Sequence, residues 1–131
     1  MAQEATLVIT VKNEAKGIEK FLDSIMASTR MPNEVVFVDG GSTDKTIQDI
    51  NHWYQAQKII KPDVFSLTVI NEPGANRSKG RNIGIVTSKN EIIAITDAGC
   101  RVDKNWFEKI TKHYQEPILD YVYGAYEIDK D

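Results

Sequence analysis

The chain has 131 residues, enough for one domain that buries roughly two thirds of its unfolded surface. Apolar residues at 41% and charged residues at 27% are globular proportions and exclude a disordered chain. A net charge of −3, with acids and bases mixed along the sequence, gives no support for binding nucleic acid, which needs a basic face.

At the N-terminus, "MAQEATLVIT" lacks the basic region and long apolar core of a signal peptide. No later run approaches the ~20 apolar residues of a membrane span, so a cytoplasmic protein without a span is expected. The first predicted strand is "TLVITV" (6–11). It ends in "TVKNEAKG", which has neither the Gly-x-Gly-x-x-Gly of a dinucleotide fold nor a Walker A loop. NAD, FAD and that class of ATPase are excluded. Ile18, Phe21, Leu22, Ile25 and Met26 then form one apolar helical stripe. Asn13 is its expected cap, Glu14 lies in its first turn, and Met31-Pro32 closes it.

The second strand, "EVVFVD" (34–39), leads into "VDGGSTDKT". A helix carrying Ile47, Ile50 and Tyr54 follows, with Ser42 or Thr43 as its expected cap. A plain strand-to-helix turn accounts for Ser42 and Asp44. It does not account for Asp39, an acid ending a buried strand, whose carboxylate suits a base imide or a ribose hydroxyl. A weaker strand, "SLTVIN" (66–71), precedes "NEPGANRSKGRNIGI", with Ile83 and Val86 marking a short helix after the 77–81 loop. Arg77, Lys79 and Arg81 crowd the helix start, where the macrodipole disfavours cations. A bound diphosphate would reverse that penalty; a solvated basic turn is the plainer alternative.

The strand "EIIAITD" (91–97) ends on Asp97, and a helix beginning near Asn105 carries Phe107, Ile110 and Tyr114. Cys100, the one cysteine, excludes an internal disulfide and a cysteine zinc cluster and reads as a small packing residue. His52 and His113, each near a helix end, read as packing or surface residues, and Arg101 and Asp103 as surface pairs or ligand contacts. The alternation of strands and helices predicts an α/β fold, an open, mostly parallel sheet with helices on both faces. Ligands in such folds bind beyond the carboxyl ends of the strands. No linker or repeat divides residues 1–131, so a single domain is expected.

In this order and spacing, "TLVITVKNEAKGIEKFLDSI", "VVFVDGGSTDKT", "GANRSKGRNIGI" and "IIAITDAGCRVDKNWFEKI" resemble the family 2 glycosyltransferases of the GT-A, Rossmann-like nucleotide-diphospho-sugar transferase fold. The resemblance implies inverting transfer of a sugar from a UDP- or GDP-linked donor. It implies a nucleoside pocket lined by Thr10, Lys12, Asn13 and Glu14, with Asp39 on the base and Asn76, Arg77 and Arg81 near base or phosphates. Asp97 corresponds to the first acid of the family's Asp-x-Asp, which serves ribose and a Mg²⁺ or Mn²⁺ ion bridging the diphosphate. Two positions depart. Gly40 stands where a second Asp is frequent, and Gly99 stands where the metal-ligating acid would be. Either Asp97 holds the ion with water and phosphates, or Asp103 helps, or the basic loop replaces the metal.

The family's catalytic base, with the acceptor-binding part, falls beyond Asp131; Glu127, Asp129 and Asp131 come too early for it. A truncated donor-binding half is therefore expected. A non-catalytic nucleotide-sugar-binding module is the alternative. A sugar-1-phosphate nucleotidylyltransferase is disfavoured, because "TVKNEAKG" is not the glycine-rich, arginine-bearing loop those enzymes place after the first strand.

Overall fold

The structure is a computed structural model, which describes residues 3–100 and 102–112. Tyr114, His113 and the acids near the C-terminus lie outside the described residues. Four parallel strands, β1 (Ala5–Val11), β2 (Glu34–Asp39), β3 (Ser66–Asn71) and β4 (Ile92–Asp97), form one sheet in the order β3-β2-β1-β4. The helices are α1 (Ile18–Met26), α2 (Thr46–Ile60), α3 (Arg77–Thr87) and α4 (Trp106–Lys112). None is long and apolar enough to cross a membrane.

Strand order decides which helix covers which face. From β1 through β2 to β3 the chain steps in one direction, then jumps back across β1 to β4. Right-handed crossovers in opposite directions put their helices on opposite faces. Accordingly Leu7, Ile9, Val11, Val35 and Phe37 pack with Ile18, Leu22 and Ile25 of α1, Ile50 and Trp53 of α2, and Phe107 of α4. Val8, Val36 and Val38 face the other way, with Ile83 of α3 and the half-buried Ile70, Ile93 and Ile95. β1 and β2 are buried along their whole length, which is why they read as unbroken apolar runs. β3, at the edge, is half-exposed and correspondingly weak in sequence.

The helix termini depart from the sequence reading. Asn13 does not cap α1, which starts at Ile18 after Gly17 without a side-chain cap. It adopts a left-handed φ of 54° and turns its carboxamide to the other loop, where Oδ1 accepts from the Thr43 amide at 2.8 Å. The Asn13 amide in turn donates to Ser42 Oγ at 2.8 Å, so the two strand-end loops are tied to each other. Neither Ser42 nor Thr43 caps α2. Its first turn follows Lys45, and Asp44 Oδ1 accepts from the Thr46 amide at 3.0 Å and from the Thr46 hydroxyl. That hydroxyl bond is the largest influence holding Asp44 below the ordinary carboxylate range. α1 also stops at Met26, before Met31-Pro32, with Ser24 and Ser28 hydroxyls bonding back to its last carbonyls.

Replacing Asn13 by alanine should therefore cost about 1–2 kcal/mol in urea unfolding, from a lost loop cap and an L residue held at positive φ. Asn13→Gly should recover the backbone share alone. Equal losses in the two variants would show that the left-handed conformation contributes nothing.

The largest departure is α3. It begins at Arg77 and takes in the whole basic segment as its first turn, rather than following it as a loop. Val86, expected inside, is 85% exposed. The buried positions are Gly80 and Gly84. A Cβ on Gly84 would lie 2.3 Å from Val8 Cγ1, and one on Gly80 3.1 Å from Thr10 Cγ2. Two glycines four apart remove one side of the helix and let its backbone rest on β1.

Candidate functional site

The carboxyl ends of the strands, brought level by the sheet register, border a hollow of about 440 Å³. Thr10 and Val11 of β1, Lys12 and Glu14 of its loop, Val38 of β2 and Gly40 just after it, the 74–76 turn, Arg77 and Gly80 of α3, and Asp97 of β4 line it. Of the nine residues singled out by sequence, six (Thr10, Lys12, Glu14, Asn76, Arg77 and Asp97) meet there. The strand-end rule located the site; the close seating of α3 shapes its wall.

Asn13, Asp39 and Arg81 do not line the hollow. Asn13 is occupied in the loop contact described above. Asp39 lies at the same sheet edge but in the opposite phase. It pairs in register with Val11, while Asp97 pairs with Thr10, so the two carboxylates leave the sheet on opposite faces. Asp39 is fully buried; its Oδ1 accepts from the Gly41 and Ser42 amides at 2.7 and 2.6 Å. Its Oδ2 is buried without a partner among the described residues, as are Oγ1 of Thr10, which lines the hollow, and Arg81 Nε. Buried polar atoms left unpaired cost about 1–3 kcal/mol each, so native chains keep few without reason.

In sequence, Gly40 reads only as a departure from a frequent second Asp. Its structural use is close approach: a Cβ there would lie 2.8 Å from the Ala75 carbonyl oxygen. The 72–75 turn is laid onto the tip of β2, with the Glu72 amide donating to Asp39 O at 2.8 Å and the Gly74 amide to Gly40 O at 3.0 Å. The signal missed in sequence was "KGRNIG", glycines at helical spacing, which mark a close backbone contact.

Asn76 caps α3 by accepting from the Lys79 amide at 2.8 Å. The Arg77 and Ser78 amides precede the first intrahelical acceptor and stay available at the positive end of the helix. Arg77 Nε pairs with Asp97 Oδ2 at 2.9 Å, and Lys79 Nζ with Glu72 Oε1 at 3.6 Å. Asp97 Oδ1 accepts from the Gly99 amide at 3.3 Å. Cys100 is a free thiol beside this turn, and burial, followed by the Asp97 charge, pushes its pKa up. It stays protonated at neutral pH, which does not suit a nucleophile.

A divalent cation is poorly served here. Mg²⁺ and Mn²⁺ take oxygen ligands, and among the described residues no three His, Cys, Asp or Glu side chains are grouped to supply them. Asp97 and Glu14 are the two acids that line the hollow, and Asp97 Oδ2 already holds a guanidinium. Asp103 is exposed and accepts from the Asn105 amide at 3.3 Å, starting α4 rather than joining the hollow. The residues present do not fit a metal site of their own.

The profile of the family described as Glycosyl transferase family 2 matches residues 6–131. Among curated proteins, glycosyltransferase GlyG of Streptococcus pneumoniae serotype 4 is 28% identical over 126 residues, which is 96% of this chain and 40% of that protein. This chain thus spans about two fifths of that relative's length. The mannosyltransferase PcManGT of Pyrobaculum calidifontis, solved in complex with GDP-Man and Mn²⁺, superposes with a TM-score of 0.66 at 30% identity, over 77% of this chain and 29% of that one. The S. aureus TarS 1-349 structure in complex with UDP-GlcNAc gives a TM-score of 0.69 at 20% identity, over 86% of this chain and 31% of that one, and shares the fold.

Proposed function

The chain belongs to glycosyl transferase family 2, and from that premise we propose that it holds the donor of an inverting glycosyltransferase, a nucleoside-diphosphate sugar. The observation that carries this reading is convergence: a buried, unpartnered hydroxyl (Thr10), a helix N-terminus bearing Arg77, and Asp97 all border one hollow. The pieces match the parts of such a ligand. Phosphate oxygens suit the amides and guanidinium of the α3 end. Hydroxyls of a ribose or sugar suit the carboxylates of Glu14 and Asp97. A base imide suits the unpartnered Asp39 Oδ2 at the same sheet edge, the residue that the family resemblance places on the base. GDP-Man bound to the Pyrobaculum enzyme supports the same ligand class here.

In the transfer, an acceptor hydroxyl attacks the anomeric carbon from the face opposite the diphosphate. The new C–O bond forms as the bond to the diphosphate breaks, and the leaving oxygen keeps the electron pair. The acceptor proton passes to a carboxylate acting as general base. The part assigned to these residues is stabilisation of the leaving diphosphate as its charge develops.

Thermal unfolding with added nucleotide tests the donor site directly. UDP or GDP at a hundred times its Kd should stabilise the chain by about 2.7 kcal/mol. No shift with either at millimolar concentration would end this reading.

A further inference from the structure

We infer that Arg77 supplies the counter-charge for the donor's diphosphate, pairing with Asp97 where a divalent cation would otherwise sit, so that nucleotide binding needs no metal. The inference rests on the donor-site reading and adds to it the means of charge compensation.

Asp97 lacks the acid two residues on, since Gly99 has no side-chain ligand to give, and the second carboxylate at the hollow comes from Glu14 of the β1 loop. The space beside it is already bordered by carboxylates: a Cβ on Gly99 would lie 3.3 Å from Glu14 Oε1 and 4.0 Å from Asp97 Oδ1. What neutralises Asp97 is the guanidinium, Nε to Oδ2 at 2.9 Å. The side chain of Asp97 is 18% exposed and that of Arg77 is 76% exposed. An ion ligated by Asp97 Oδ2 would have to displace the guanidinium.

The same pair leaves the site ready for phosphate. A guanidinium has five N–H donors, and the contact with Asp97 engages only Nε. The remaining donors match the paired oxygens of a phosphate, a geometry that an ammonium cannot reproduce. They stand beside the available Arg77 and Ser78 amides at the end of α3. Thr10, 6% exposed and with a hydroxyl that has no partner among the described residues, lines the same hollow, which points to a polar ligand there. A lone surface ion pair would add little to stability. Its place over the hollow gives this one a use in binding.

Calorimetric titration of the chain with UDP and with GDP, in EDTA and in Mn²⁺, tests the inference. Wild-type affinity for the nucleotide that binds should agree within about threefold in the two buffers. Arg77→Gln should lose about tenfold or more in EDTA, the size of a charge-assisted contact. Gly99→Asp should weaken binding in EDTA and recover it with Mn²⁺, having gained a ligand and an uncompensated charge together. Wild-type binding that vanishes in EDTA and returns with Mn²⁺ would overturn the inference and leave the donor site standing, as would unchanged EDTA affinity in Arg77→Gln. No binding of either nucleotide in either buffer would remove the donor site and the inference with it.

Discussion

Gly84→Ala should lower the midpoint of thermal unfolding by roughly 4–10 °C, the reverse of what a glycine-to-alanine change does in an open helix. In an unobstructed helix interior the change is worth about 1 kcal/mol of added stability. Here the new methyl would lie 2.3 Å from Val8 Cγ1, against the ~3.5–4.0 Å at which carbon atoms rest in contact. Val8 cannot yield: it is fully buried, β-branched and stiff, on the strand between β2 and β4. The remaining route is for α3 to lift off the sheet, and such overpacking costs typically ~1–3 kcal/mol, occasionally more. Val8→Ala makes room, so the double variant should be more stable than the sum of the single losses allows, by about 1 kcal/mol. Strict additivity would show that the glycine serves some other purpose. Gly17→Ala, with nothing within 4 Å of its added carbon, is the control and should shift the midpoint by less than about 2 °C. Because α3 carries Arg77 at its first turn, Gly84→Ala should also weaken nucleotide binding.

That helix shows where a sequence can and cannot be read. The β1 and β2 segments announced themselves because strands covered on both faces are nearly continuously apolar, as from Val35 to Val38 in "EVVFVD". β4 showed itself as an apolar run up to its terminal Thr-Asp. α1 did so because its buried Ile18, Phe21, Leu22 and Ile25 follow helical spacing. α3 meets the sheet with absent side chains, so the search for an apolar stripe found Ile83 and Val86 and placed Val86 on the wrong face. Caps misled for a related reason. Asn13 has the chemistry of a cap, and it caps, but the amide it satisfies is 30 residues away at Thr43. Hydrogen-bond chemistry is legible locally, while the partner is set by which strands become neighbours. The site was found through topology, since every strand of a parallel sheet ends at one edge. What the sequence left open was the phase of each acid at that edge. Asp39 and Asp97 look alike as strand-ending acids, and the register with β1 sends them to opposite faces.

Asp39→Asn should leave the fold at least as stable as wild type while reducing affinity for UDP or GDP by tenfold or more, about 1.4 kcal/mol. The two effects separate because the two carboxylate oxygens have different work. Oδ1 is committed to the Gly41 and Ser42 amides, and an asparagine oxygen can still accept from both. Oδ2 is buried with no partner, a position that lowers the stability of the free chain by about 1–3 kcal/mol. Converting that atom to an amide nitrogen removes a negative charge from a buried site, which is neutral or favourable for folding. For a ligand the same change is adverse. Uracil and guanine both present an imide N–H to an acceptor, and the variant would face it with a second N–H, leaving two donors opposed and one hydrogen bond lost. Cytosine carries a lone pair at the matching ring nitrogen, so CDP should gain on UDP and GDP in the variant. Measuring stability by urea unfolding and the three affinities by calorimetry tests both halves at once. A residue with only a structural role would move stability and all three affinities together. A residue that meets the base moves stability one way and reorders the nucleotides. An unchanged order of UDP, GDP and CDP in Asp39→Asn would show that the base is held elsewhere.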